Sequence, residues 1–222
     1  MKKLKLSFLI AFLSMVSFVG AQTASLSIKG GLNMSNFYGD NLTEKNMEPG
    51  FHIGVGADLE FTPDLALQTA LLFTTKGAKY NYDFPLKAVG EVEYNVSSNY
   101  IQMPIHLAYK MDVAPGTKLV FHAGPYLAYG IGGKRKVVSN YTKDLEPFIG
   151  EQEINTFGKG FGFKPFDSGV GLGVGAEFGM ITVDLGWDMG LLNIARETKV
   201  GETTYNHKIK NQSAYLSLGY KF

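Results

Sequence analysis

The chain has no cysteine, which removes disulfides and thiolate metal ligation from consideration. It has no excess of either charge: 21 Lys and Arg stand against 20 Asp and Glu, a formal net charge of +1. That balance points away from nucleic acid and from strongly acidic substrates. The catalytic spacings His-Glu-x-x-His, His-x-His and Gly-x-Ser-x-Gly are absent. Beyond the first residues, no uninterrupted apolar run reaches the roughly 20 residues that a spanning helix needs.

The one apolar run lies at the start. Lys2, Lys3 and Lys5 precede an apolar core from Leu6 to Val19, and Val19-Gly20-Ala21 supplies small residues for cleavage. This pattern predicts a removable export signal over residues 1–21 and a mature chain, 22–222, beginning at Gln22. Loss of three of the 21 basic residues leaves 18 against 20 acidic ones, a charge of −2. No cysteine follows the cleavage site, so lipid anchoring is not expected. An exported chain without spanning helices enters a membrane only as a closed barrel, because lipid cannot satisfy open sheet edges.

What the mature chain does have is period two. Phe51, Ile53, Val55, Ala57, Leu59 and Phe61 alternate with His52, Gly54, Gly56, Asp58 and Glu60. Such alternation places one strand face in an apolar medium and the other in a polar one, and about eleven residues suffice for a tilted strand to cross a bilayer. The pattern recurs from Leu26 to Ser35, Leu65 to Thr74, Ile101 to Met111, Leu119 to Ile131, Phe166 to Phe178, Ile181 to Leu191, and Gln212 to the C-terminus. Eight strands are therefore predicted. Their connections alternate long (37–50, 80–98, 134–165, 192–211) and short (62–64, 112–118, the Gly179 turn), as in outer-membrane barrels with short periplasmic turns. The expected fold is an all-β, eight-stranded, antiparallel up-and-down transmembrane barrel. Pro104 and Pro125 fall inside strands, where bulges are expected.

Two features choose the outward face. The polar face is rich in glycine, including Gly171, Gly173 and Gly175, which suits a narrow lumen. Aromatic residues such as Tyr109, Phe121, Trp187, Tyr220 and Phe222 share the apolar face near strand ends, as an interfacial girdle requires. The opposite choice would set Asp58, Glu60, Lys110, Asp184 and Asp188 against lipid. The lumen is thus expected to hold a polar network of Lys29, His52, Asp58, Glu60, Lys76, His106, Lys110, His122, Asp167, Glu177, Asp184, Asp188 and Lys221. The three histidines are read as satisfied lumen groups, with His52 at the extracellular start of its strand. Gly171-Leu-Gly-Val-Gly-Ala176 fits a dinucleotide signature only formally, since strand alternation runs through it. Lys134, Arg135 and Lys136 open the longest loop, which also carries Tyr141, Phe148, Phe157, Phe161 and Phe163, and are candidates for extracellular contact or for lipopolysaccharide phosphates. Tyr220 and Phe222 close the chain in the manner of a barrel sorting signal.

Taken together, Gly30-Gly31-Leu-Asn-Met-Ser35, Leu72-Phe-Thr-Thr-Lys-Gly-Ala78, Tyr100-Ile-Gln-Met-Pro-Ile105, Gly124-Pro-Tyr-Leu127, the run from Gly186 to Asn193, and Leu216-Ser-Leu-Gly-Tyr-Lys-Phe222 resemble the PorT-like outer-membrane β-barrel family of Bacteroidetes. The resemblance covers nearly the whole mature chain. It implies an outer-membrane barrel of a Gram-negative bacterium and a branch linked to protein secretion; no set of catalytic residues comes with the family, so none is carried over, and no cofactor is expected. The expectation is a non-enzymatic membrane scaffold with extracellular binding loops. The alternatives are an accessory subunit of a secretion or transport complex, a narrow pore, and a lipid-modifying enzyme that uses His52. Expected partners are outer-membrane lipid and lipopolysaccharide, the barrel assembly machinery, and an envelope protein, with no nucleic acid.

Overall fold

Among the described residues the chain forms twelve strands. The computed structural model describes residues 23–39, 43–82, 92–139, 152–157, 162–196, 198–200, 203–205 and 208–222. The strands are β1 (Thr23–Gly39), β2 (Thr43–Thr62), β3 (Leu65–Tyr82), β4 (Val92–Ala114), β5 (Thr117–Gly132), β6 (Lys134–Ser139), β7 (Gln152–Asn155), β8 (Phe166–Phe178), β9 (Ile181–Gly190), β10 (Thr198–Val200), β11 (Thr203–Tyr205) and β12 (Ile209–Lys221). Eight of them form a closed antiparallel barrel in the order β3-β2-β1-β12-β9-β8-β5-β4, with β4 pairing back to β3. The chain ends meet in this ring, where β1 and β12 pair from Ser27↔Lys221 to Gly39↔Ile209. The proposed signal segment lies outside the described residues.

The barrel is inside-out relative to a soluble domain. Leu26, Ile28, Leu32, Phe51, Ile53, Val55, Leu172, Leu185, Leu216 and Leu218 stand exposed on the outer face. Asp58, Lys76, Lys110, His106 and His122 are buried in the lumen. The outer face is not bare throughout: Ala57, Leu59 and Met103 share the outward parity and are covered.

The strands run well past their predicted ends. At about 3.3 Å per residue and a tilt near 40°, the 23 residues of β4 rise roughly 55 Å, about twice the apolar band of an outer-membrane barrel. Lipid imposes strict alternation only within that band. Above it, ladder hydrogen bonds continue the strands without an apolar face to mark them. Much of the predicted loops 37–50 and 80–98 is therefore strand, and the predicted loop 134–165 contains β6 and β7. β6 pairs with Val92–Val96 of β4, and β7 with β6, so the sheet continues beyond the ring at the extracellular end.

On the periplasmic side the turns are tight. The Thr62 hydroxyl accepts hydrogen bonds from the Asp64 and Leu65 amides (3.4 and 3.0 Å), and Gly116 and Gly179 take φ values of +72° and +60°, which only glycine adopts at little cost. The expected proline bulges do not form. Thr69↔Ile105 and Leu72↔Gln102 share one register on β3, Pro104↔Tyr126 and Leu107↔Ala123 share one on β5, and β5–β8 pairing runs straight through Pro125↔Val170. A missing N–H deletes a ladder bond without inserting a residue, and the outward Thr69 hydroxyl caps the Pro104 carbonyl at 2.8 Å.

Candidate functional site

Inward parity brings the predicted polar residues together in tiers along the lumen. The periplasmic floor is an ion-paired cluster. Lys110 Nζ lies 3.1 Å from Asp58, 2.9 Å from Glu60 and 3.1 Å from Glu177. Lys221 Nζ lies 3.2 Å from Asp58 and 3.0 Å from Glu177, and the Gln68 amide donates to Asp58 at 3.0 Å. Two cations and three acids neutralise one another here; loss of Lys110 would leave Glu60 without a cation and Asp58 and Glu177 with Lys221 alone.

The middle tier carries the histidines. The Asp184 carboxylate lies 2.7 Å from His122 Nε2, and His122 Nδ1 lies 2.9 Å from His106 Nδ1, the two rings stacked at 5.0 Å. A carboxylate only accepts, so His122 carries its proton on Nε2 and accepts from His106 Nδ1–H. These rings pack on the glycine stripe of β8: a Cβ at Gly171 would lie 2.8 Å from His106 Nε2, and one at Gly173 2.6 Å from His122 Nε2. His52 lies well inside β2, because that strand begins at Thr43 and not at the predicted Phe51. Its Nδ1 is 2.7 Å from Asn33 Oδ1 and its Nε2 is 2.9 Å from Ser217 Oγ.

Above lies a hydrogen-bonded tier. The Gln102 amide donates to Asp188 at 2.7 Å, and Asp167 accepts from Asn211 (2.8 Å) and from the Tyr126 hydroxyl (3.2 Å). Lys76 departs from the expected ion-paired network. Its Nζ is buried, has no hydrogen-bond partner among the described residues, and stands 4.8 Å from the centre of the Tyr126 ring. Asn33, Gln102, Tyr215 and Ser217 are absent from the predicted network because they carry no charge; their inward parity is the signal that could have found them.

A cavity of about 70 Å³ runs through these tiers, lined by Lys29, His52, Lys76, His106, His122 and Asp184 among others. A second, of about 20 Å³, shares Lys29, Gln68, Thr182 and Asp184 with it and continues to Asp58, Glu177 and Lys221. The extracellular mouth is filled by an apolar cluster of Phe37, Ala78, Val96, Phe163, Ile194, Ala195 and Ile209, with Phe157 packed against it.

That cluster corrects the reading of the longest loop. Phe157 and Phe163 were expected on a surface loop; they turn into the mouth, Phe163 edge-on to Phe37 at 5.5 Å and Phe157 edge-on to Tyr100 at 5.3 Å. Arg135 was expected to join Lys134 and Lys136 in extracellular contact. Strand pairing instead gives β6 an alternation of its own, so Arg135 is buried with its guanidinium 4.5 Å from the centre of the Phe163 ring, while Lys134 and Lys136 are exposed. Tyr141, Phe148 and Phe161 lie outside the described residues. At the other end Tyr220 and Phe222 face outward, their ring centres 5.4 Å apart.

A closed eight-stranded ring with an apolar exterior and a charged interior defines a bacterial outer-membrane barrel. The chain belongs to the outer membrane protein beta-barrel domain family, whose model matches residues 20–196. No curated protein matches it. Among solved structures it is similar to a major outer membrane protein from Thermus thermophilus, at 14% identity and a TM-score of 0.50, over 90% of this chain and 100% of that one. It is also similar to OprG from Pseudomonas aeruginosa (10% identity, TM-score 0.45, 91% and 98% covered) and to Ail of Yersinia pestis, solved in complex with the heparin analogue sucrose octasulfate (14% identity, TM-score 0.42, 90% and 100% covered). These likenesses concern the fold alone.

Proposed function

We propose that this outer-membrane barrel is a PorT-like scaffold that presents an extracellular sheet to a protein partner in the cell envelope. The observation that carries this reading is the continuation of the barrel wall into β6 and β7, braced from within by Phe157, Phe163 and Arg135. A surface held this firmly binds without a large ordering cost, and Lys134 and Lys136 give it a basic face. Lipopolysaccharide phosphates are the second chemistry such a face would meet, and Tyr220 and Phe222 are the residues that the assembly machinery would read.

A second reading, as an accessory subunit of a secretion or transport complex, draws on β7. Among the described residues β7 ends the sheet, which leaves an edge for a partner's strand. Crosslinking in intact cells, followed by pull-down and mass spectrometry, tests both. Recovery of an envelope protein that is lost with Lys134→Glu/Lys136→Glu supports the scaffold. Recovery that survives this change but is lost on placing proline at Ile154 supports the edge-strand subunit. If no envelope protein rises above background, both fail.

A further inference from the structure

Three polar side chains on three adjacent strands meet in the middle tier. Gly31 of β1 pairs with His52 of β2 on one side and Ser217 of β12 on the other. A Cβ at Gly31 would lie 2.6 Å from His52 Cε1 and 2.8 Å from Ser217 Cα, so the bare backbone lets the imidazole cross β1 and reach the serine. The Tyr215 ring stands edge-on to His52 at 6.0 Å and limits how the imidazole can turn.

The hydrogen-bond network fixes the protons. Asn33 Nδ2 donates to Thr74 Oγ1 at 2.8 Å and to the Thr75 carbonyl at 3.2 Å, which sets the amide so that Oδ1 faces His52. Oδ1 only accepts, so His52 carries its proton on Nδ1. Nε2 is then bare and accepts from the Ser217 hydroxyl. This is the proton arrangement of a nucleophilic serine, its base, and the residue that orients the base, a constellation recognised by geometry and not by sequence order.

We propose that Ser217, His52 and Asn33 form a nucleophile triad inside the barrel, acting on short-chain carboxylic esters. Ser217 Oγ bonds to the acyl carbon while its proton passes to His52 Nε2. The ester C–O bond then breaks, and the leaving alkoxide takes that proton. Water repeats the sequence: it gives a proton to His52, attacks the acyl carbon, and releases Ser217 Oγ, which recovers the proton. The net change is ester plus water to acid plus alcohol. Asn33 is a positioning residue that holds the imidazole.

The surroundings fit this chemistry. All three residues line the 70 Å³ cavity, which has room for roughly five to seven waters and so for only a small acyl group. Lys29 and Lys76 line the same cavity and put positive charge on the side where an oxyanion would develop. The smaller cavity below, with its four shared lining residues, leads toward the periplasmic floor. The titratable groups facing the triad are Lys29 on β1, Lys76 on β3, His106 on β4, His122 on β5, Asp184 and Asp188 on β9, and Tyr215 on β12. The proposal is independent of the scaffold reading and departs from the expectation of a lumen without chemistry.

The test uses the mature barrel folded in phospholipid vesicles, its fold checked by heat-dependent gel migration, with p-nitrophenyl acetate as probe. Acetylation is read at Ser217 by peptide mass spectrometry. The expected result is an acetyl group on Ser217 in the wild type, formed about 10²- to 10⁴-fold more slowly in His52→Gln. Asn33→Leu slows it as well, and Asn33→Asp, which keeps the acceptor, restores it. In the wild type the rate rises with pH as His52 loses its proton, a readout that survives if the His52 variant does not fold. An unmodified Ser217 in a folded wild-type barrel overturns the proposal, and so does a pH-independent rate or equal acetylation in a folded His52→Gln barrel.

Discussion

Lys110 Nζ stands 3.1 Å from the Asp58 carboxylate at a point where the lysine side chain is wholly enclosed. The contact joins β4 to β2 across the lumen, and Glu60, Glu177 and Lys221 complete the set.

Removing the central cation leaves three acids to a single lysine. Lys110→Met is expected to cost about 3–5 kcal/mol, the range for breaking one side of a buried ion pair. Guanidinium unfolding of barrels refolded in vesicles measures it, and a cost below about 1 kcal/mol would show that water already screens the floor.

Leu172 lies at the middle of β8 with its side chain turned outward. If lipid surrounds it, Leu172→Arg costs about 2–4 kcal/mol, whereas Met180→Arg at the periplasmic turn costs about 0–1 kcal/mol. The same unfolding measurement compares the two, and equal costs would contradict the placement of the bilayer across this strand.

The mouth cluster depends on Phe163, against which both Phe37 and Arg135 pack. Phe163→Ala is expected to cost about 3–5 kcal/mol of local packing while the barrel stays closed. Trypsin added to intact vesicles should then cut after Arg135 in the variant and spare that bond in the wild type. Equal cleavage would mean that Phe163 does not hold this segment.

Gly31→Ala tests how closely β1 approaches its neighbours. The added methyl would lie 2.0 Å from the Leu216 carbonyl oxygen, which belongs to backbone and cannot swing aside. A destabilisation of about 1–3 kcal/mol or more is expected, and an unchanged unfolding midpoint would refute the close approach.

Much of this architecture is legible residue by residue. The outward positions of Leu26, Ile53, Leu172 and Leu218, and the inward ones of Asp58, Lys110 and His122, follow from alternation once glycine and aromatic placement assign its faces. The prolines mislead, because a lost N–H resembles a break in the sequence while the register on either side is unchanged. The strand ends mislead as well, since period two fades once both faces meet water. Arg135 and Phe163 defeat a linear reading for a different reason: a basic triplet with nearby aromatics has the composition of a surface loop, and only the pairing of β6 with β4 turns one of the three basic residues inward.

Parity is a local property. Each residue's face is set by the extended backbone and the medium that selects it, so the amino-acid order by itself determined an inside-out barrel and the membrane it occupies. Partnership is not local. His52 and Ser217 are 165 residues apart and meet because β12 returns to pair with β1, placing both beside Gly31. Which polar groups share a tier and where a bare nitrogen faces a hydroxyl were decided by closure of the ring. Closure fixes the stagger of every strand at once, and no single strand carries that information.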